Sequence, residues 1–294
     1  MTRRLGAFLL TPLFAASAGC APPERPEAVA LTYSRALYAR DLTAAYALLS
    51  SQDRAVKDEA AFRRERDAQA GFALEVSRQL AGFMSATPLR RRATADQVEL
   101  TMRLRLPNAN APEVSTLVHE WDEGRLNSLP AEERQRVTWA LGQLHQAGRL
   151  PMLEGEETFT LVREDGRWRI LLNWAEGARV RFHAVTAGTP LQVAFSPEEV
   201  VVTPGERFKV TMRVTNPSAV PVRVRARHVI EPRATTSSLV LVLCLLEIPV
   251  TVEAGRTEEF LSEYVVLKDI PRTAKRFDVT YGFVPVSAAS GGGV

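Results

Sequence analysis

Chemistry in this chain begins with two cysteines, four histidines and one dense polar string. Cys244 lies inside the apolar run LVLVLCLL at 239–246. A thiolate is a soft ligand that suits Cu(I) better than oxygen donors do. Two thiols spaced two residues apart on a strand share a face and can converge on one ion, whereas Cys244 alone cannot chelate within its own strand. Met212 and His228 are the other soft or imidazole groups on nearby strand-like segments, Met212 alternating with Val210 and Val214 as a core residue does. A lone cysteine in an apolar strand also serves as a small core residue. The polar string HEWDEG offers His119, Glu120, Asp122 and Glu123 to a metal. Read as a strand, it sends His119 and Trp121 to one face and Glu120 and Asp122 to the other, so a solvated strand end is expected. The sequence contains no GxGxxG, GxxxxGK, GxSxG, HExxH or CxxC, and phosphate cradles, zinc proteases and nucleophile elbows are unsupported. No catalytic residue is identified, and the chain is expected not to be an enzyme.

The elements around these residues fall into two halves. After a proline-rich linker at 20–26, Val29, Tyr33, Leu37 and Tyr38 recur at helical spacing, as do Leu42, Tyr46 and Leu49. A third helix is expected over 58–84, carrying Phe62, Phe72, Leu80 and Phe83. The period then changes to two at Val98, Leu100, Met102, Leu104 and Leu106, a half-buried strand. Residues 130–146 return to helix with Val137, Leu141 and Leu144, and 158–174 form a hairpin turning at Asp165-Gly166. Helices followed by turn-linked strands predict an α+β domain over 27–176.

From 181 to 286 only short strands are expected, separated by Pro204-Gly205, Asn216-Pro217, Ala254-Gly255 and Ile270-Pro271 at the spacing of an all-β sandwich. A joint is predicted over 175–180. The run at 239–246 is too short to cross a membrane and is expected to be buried on both faces. SAASGGGV at 287–294 reads as a disordered tail.

With 294 residues, 46% hydrophobic and 24% charged, the chain suits two globular domains. The formal charge of +3 includes Arg3 and Arg4, and without residues 1–19 the balance is near neutral. RRR at 90–92 and VRVRAR at 222–227 lack interleaved aromatic residues, which argues against a nucleic-acid partner. Arg3-Arg4, the apolar stretch 5–16 and small residues before Cys20 have the build of a secretory signal, residues 1–19, too short to span a bilayer.

Three resemblances extend this reading. Ser17-Ala18-Gly19-Cys20 resembles the bacterial lipobox, with Ser17 in place of the usual Leu. It implies lipidation of Cys20, a membrane anchor and a periplasm-facing position, with Ala21 pointing to the outer membrane. YSRALYARDLTAAYALLS and FTLVREDGRWRILLNW resemble the opening helices and last hairpin of the cone-shaped α+β barrel superfamily that includes ketosteroid isomerase and scytalone dehydratase. That superfamily holds both enzymes and pocketed, non-catalytic modules.

The third resemblance covers about the whole β domain. Phe195-Ser196-Pro197, Pro204-Gly205-Glu206, VTNPSAVPV at 214–222, Pro232, the cysteine strand, Ala254-Gly255 and VTYGF at 279–283 are similar to the CtaG family of cytochrome c oxidase assembly proteins. These are copper chaperones with an immunoglobulin-like sandwich, in which a Cys-Phe-Cys-Phe string binds Cu(I). Counted back from Ala254-Gly255, Cys244 falls on the first cysteine of that string and Leu246 on the second, so the resemblance implies copper handling with a degenerate site at Cys244 and cytochrome c oxidase subunit I as a partner. A single thiolate leaves a coordination position open, which a dimer bringing two copies of Cys244 to one ion would fill. The alternative is a non-metal scaffold or ligand-binding envelope lipoprotein.

Overall fold

The computed structural model describes residues 24–66, 68–186, 188–244, 248–268, 270–271 and 275–286. Cys20, Leu246, the signal expected over 1–19 and the tail expected over 287–294 lie outside the described residues. The architecture is mixed α+β with several antiparallel sheets.

Helix α1 (Pro26–Tyr38) opens on Pro26, whose missing N–H is one that no helix start can satisfy, and it buries Val29, Ala30, Tyr33 and Ala36. Three short helices follow, each fixed by a side-chain cap: α2 (Leu42–Ala47) by Asp41, α3 (Ser51–Val56) by Ser50 and α4 (Glu59–Arg64) by Asp58. The single helix expected over 58–84 is in fact α4 and a separate α5 (Gly71–Gly82). The break has a physical cause at Gly71. Its φ is +58°, and an added Cβ would meet Asn127 Oδ1 at 2.6 Å, so the chain turns where only glycine fits.

Strands β1 (Ser85–Ala93) and β2 (Gln97–Pro107) come next, followed by α6 (Pro112–Ser115), α7 (Glu123–Ser128) and α8 (Ala131–Gln146). Then β3 (Met152–Glu164) and β4 (Arg167–Ile170) complete an antiparallel sheet in the order β1-β2-β3-β4. The β3–β4 turn places Asp165 at φ 48° and Gly166 at φ 78°, the left-handed pair of a two-residue hairpin. The inner face, with Val98, Leu100, Met102, Phe159, Leu161 and Ile170, packs against α1, α2 and α4. A neighbouring core of Phe72, Leu80, Val114, Leu126 and Leu141 binds α5 to α6, α7 and α8.

The remainder is β5 (Ala178–Val185), β6 (Gln192–Ser196), β7 (Glu199–Val202), β8 (Arg207–Thr215), β9 (Val222–Glu231), β10 (Leu239–Cys244), β11 (Val250–Val252), β12 (Thr257–Val266) and β13 (Arg276–Pro285). They form a four-stranded sheet, β10-β12-β8-β6, and a five-stranded sheet, β11-β9-β13-β5-β7. Both sheets contribute to one core in which Phe182, Val202, Phe277 and Tyr281 meet Phe208, Met212, Tyr264 and Val266. Trp174 packs in the first core and Ala178, opening β5, in the second.

The expectation that 239–246 is buried on both faces is corrected for 239–244, the part of the run that is described. Among the described residues β10 pairs only with β12, at the sheet edge. Val240, Val242 and Leu243 are 38%, 44% and 43% exposed. An apolar run resembles an interior strand in composition, but its place at the edge depends on long-range pairing.

Candidate functional site

The turn between β7 and β8 carries Glu206 from the β part into the helical part. Thr203 N–H donates to its Oε2 at 2.9 Å, and Trp174 Nε1–H donates to the same oxygen at 3.1 Å. Its Oε1 is ion-paired with the Arg66 guanidinium and lies 3.9 Å from Lys57 Nζ. Lys57 donates to Glu65, sits 4.2 Å above the Trp174 ring, and is 5% exposed. Arg66 reaches Glu65 at 3.7 Å and lies over the Phe62 ring. Main-chain bonding reinforces the contact, since Lys209 N–H donates to Glu65 O at 2.9 Å.

Two cations and two carboxylates thus share one largely buried space. Burial, only partly offset by Glu65, pushes the Lys57 ammonium down to about 8. Burial also lowers Arg66. Beneath them Asp53 is fully buried and accepts from Leu172 N–H at 2.7 Å and Trp174 N–H at 2.9 Å, holding the chain as it leaves β4.

Beside this cluster a cleft of about 850 Å³ opens between the two parts, within the range of small-molecule sites. Leu37, Leu42, Phe159 and Leu172 supply apolar wall. The carboxylates that line it are each ion-paired: Glu65 and Glu206 as above, Glu157 with Lys268 at 3.6 Å, Glu176 with Lys275 at 2.8 Å, and Glu263 with Arg207 at 3.4 Å.

Tyr33 also belongs to the wall. It is 5% exposed, and among the described residues its hydroxyl has no hydrogen-bond partner. By contrast Tyr38 donates to Pro107 O and Tyr46 to Lys57 O. Burial pushes the Tyr33 phenol up to about 12, against the opposing field of Arg66. The phenol is therefore a neutral donor on the wall of an open volume, able to give its hydrogen bond to a molecule held there.

The sequence-predicted residues lie elsewhere. Register shifts between Leu241 and Leu243, so Cys244 rather than Leu243 follows Leu239 and Leu241 toward the core. There Tyr264 and Tyr281 hydrogen-bond through their hydroxyls, and Tyr281 donates to Ser262 Oγ at 3.0 Å. Cys244 lies near the same Tyr281 and helps raise its phenol, after burial as the main cause. His228 lies across the core on β9, its ring 5.8 Å from that of Tyr281. Cys244 and His228 are thus neighbours of one tyrosine. Met212 is fully buried in the shared core.

Among the described residues no group of three or more His, Cys, Asp and Glu is placed to hold a metal ion. The HEWDEG segment is not a strand. His119–Trp121 is a tight helical turn with positive φ at His119, Glu120 and Trp121. Two of its three carboxylates have structural partners instead, Asp122 capping α7 and Glu123 accepting from Ala70 N–H. A second groove, of about 550 Å³, lies beside the exposed Trp139 on α8.

No protein-family model matches the chain, and the comparison with curated proteins finds no significant match.

Proposed function

We propose that this protein is a non-catalytic binding protein of the cell envelope whose interdomain cleft holds one small amphiphile. The apolar body lies against Leu37, Leu42 and Phe159, and an oxygen acceptor takes the hydrogen bond of Tyr33. The observation that carries the reading is the Tyr33 phenol on the cleft wall, which makes no hydrogen bond among the described residues. Its closeness to Arg66 favours a carboxylate or a polarised carbonyl as that acceptor. The ion pairing of the lining carboxylates supports binding over catalysis, because a paired carboxylate is a poor proton acceptor. On this reading the N-terminal part is a pocketed cone-shaped module and the C-terminal part an immunoglobulin-like sandwich, both exported and anchored through Cys20.

Decanoate and anilinonaphthalene sulfonate, each an apolar body with an oxyanion, are suitable probes. Calorimetric titration of the full chain is expected to find one site per chain for which the two compete. Absence of binding by either, or binding without competition, contradicts the proposal.

A second reading is copper handling in cytochrome c oxidase assembly, with Cu(I) on Cys244. What favours it is the placement of Cys244 and His228 around Tyr281, since thiolate and imidazole are both suitable Cu(I) ligands. Anaerobic Cu(I) titration with Cys244→Ser separates the two readings.

A further inference from the structure

We propose that the protein forms a two-fold homodimer by antiparallel pairing of β10 with β10 of a second copy. Among the described residues this strand has β12 on one side and no strand on the other. Such an edge presents a row of unpaired N–H and C=O groups, and the occupant that satisfies them is another extended strand.

The side chains select which strand. Residues 239–244, LVLVLC, carry no charge, and two identical copies run antiparallel set no like charges opposite one another. Val240, Val242 and Leu243 are all exposed on this strand, so two copies bring apolar surface against apolar surface. The other edges of this chain are poor partners. β1 carries Pro88 and the three charges of Arg90, Arg91 and Arg92, which would stand against like charges in a paired copy. β4 and β7 have four residues each and β11 three. β6 ends at Ser196 against Pro197. Among the described residues the uncharged edge long enough to match β10 is β10 itself, and an isologous pairing closes at two copies.

The result would be one continuous sheet, β6-β8-β12-β10 followed by the same strands of the partner in reverse. Val242→Lys puts an ammonium on the exposed side near the two-fold, where each copy repels the other, without entering the core of the monomer.

Sedimentation velocity of the full chain under reducing conditions, from micromolar to hundreds of micromolar, tests this. A monomer–dimer equilibrium is expected for the wild type. Val242→Lys should remain monomeric throughout with an unchanged circular dichroism spectrum, and Trp139→Lys, on a different surface, should dimerise as the wild type does. A wild type that stays monomeric overturns the proposal. So does a Val242→Lys chain that still dimerises equally well, loss of the dimer in Trp139→Lys alone, or assembly into larger species in place of dimers.

Discussion

Replacing Glu206 by Gln keeps the volume at the centre of the interdomain cluster and removes its charge. In the native chain that carboxylate pairs with Arg66 and accepts from Trp174, Thr203 N–H and the Thr203 hydroxyl. The Glu206 and Arg66 side chains are 11% and 16% exposed, so solvent screens the pair little. Losing one partner of a buried pair costs about 3–5 kcal/mol when the other charge is left alone. Arg66 retains Glu65 at 3.7 Å, and Lys57 retains its bond to Glu65. A loss of about 2–3 kcal/mol is therefore expected, near that of one or two charge-assisted hydrogen bonds. Urea unfolding followed by far-UV circular dichroism and by Trp fluorescence measures it. With the link weakened, the two signals are expected to separate into two transitions, and Arg66→Met should add much less than its own effect to Glu206→Gln. A loss below about 0.5 kcal/mol, or full additivity with Arg66→Met, would show that the cluster does not join the parts.

Stability should also vary with pH in a defined way. Folded Lys57 titrates near 8 against an ordinary 10.5, so between those values the unfolded chain binds more protons and stability from this group rises with pH. Tyr33, raised to about 12 from 10.0, contributes fully below 10 and loses its contribution between 10 and 12, and Tyr38, Tyr264 and Tyr281 are raised as well. Chemical denaturation from pH 7 to 11 should thus show a maximum near 10, and Lys57→Met should remove the rising limb. Any Cu(I) bound by the reduced chain should be lost in Cys244→Ser; tight binding that survives this substitution places the metal elsewhere. Expressed with its signal in a bacterium, the chain should fractionate with membranes and Cys20→Ala should not, whereas a wild type free in the periplasm argues against lipidation.

Much of the fold was legible because burial imposes periodicity. Val98 to Leu106 alternate as β2 does, and Phe208, Val210, Met212 and Val214 face one core from β8. β1 was not legible, since its exposed residues, Arg90 to Arg92 among them, leave no apolar alternation to read. The run at 239–246 misled for the opposite reason: apolar composition is the same at an exposed edge as in an interior. The candidate site was the least visible part. Tyr33, Arg66, Phe159 and Glu206 are scattered along the chain and meet only through packing of the two parts. Glu206 was visible solely as the end of a Pro-Gly-Glu turn, and Tyr33 as one apolar position on a helix. Lys57 and Glu65 stand eight residues apart across a helix end, outside any spacing that marks a pair.

The central claim is that Tyr33 donates to a ligand in the cleft, and the dissociation constant of decanoate for wild type and Tyr33→Phe tests it most directly. Phenylalanine keeps the ring and removes only the hydroxyl. Loss of one hydrogen bond to a charged acceptor predicts affinity weaker by about tenfold or more, with one site still present per chain. Equal affinity for the two proteins would contradict the account.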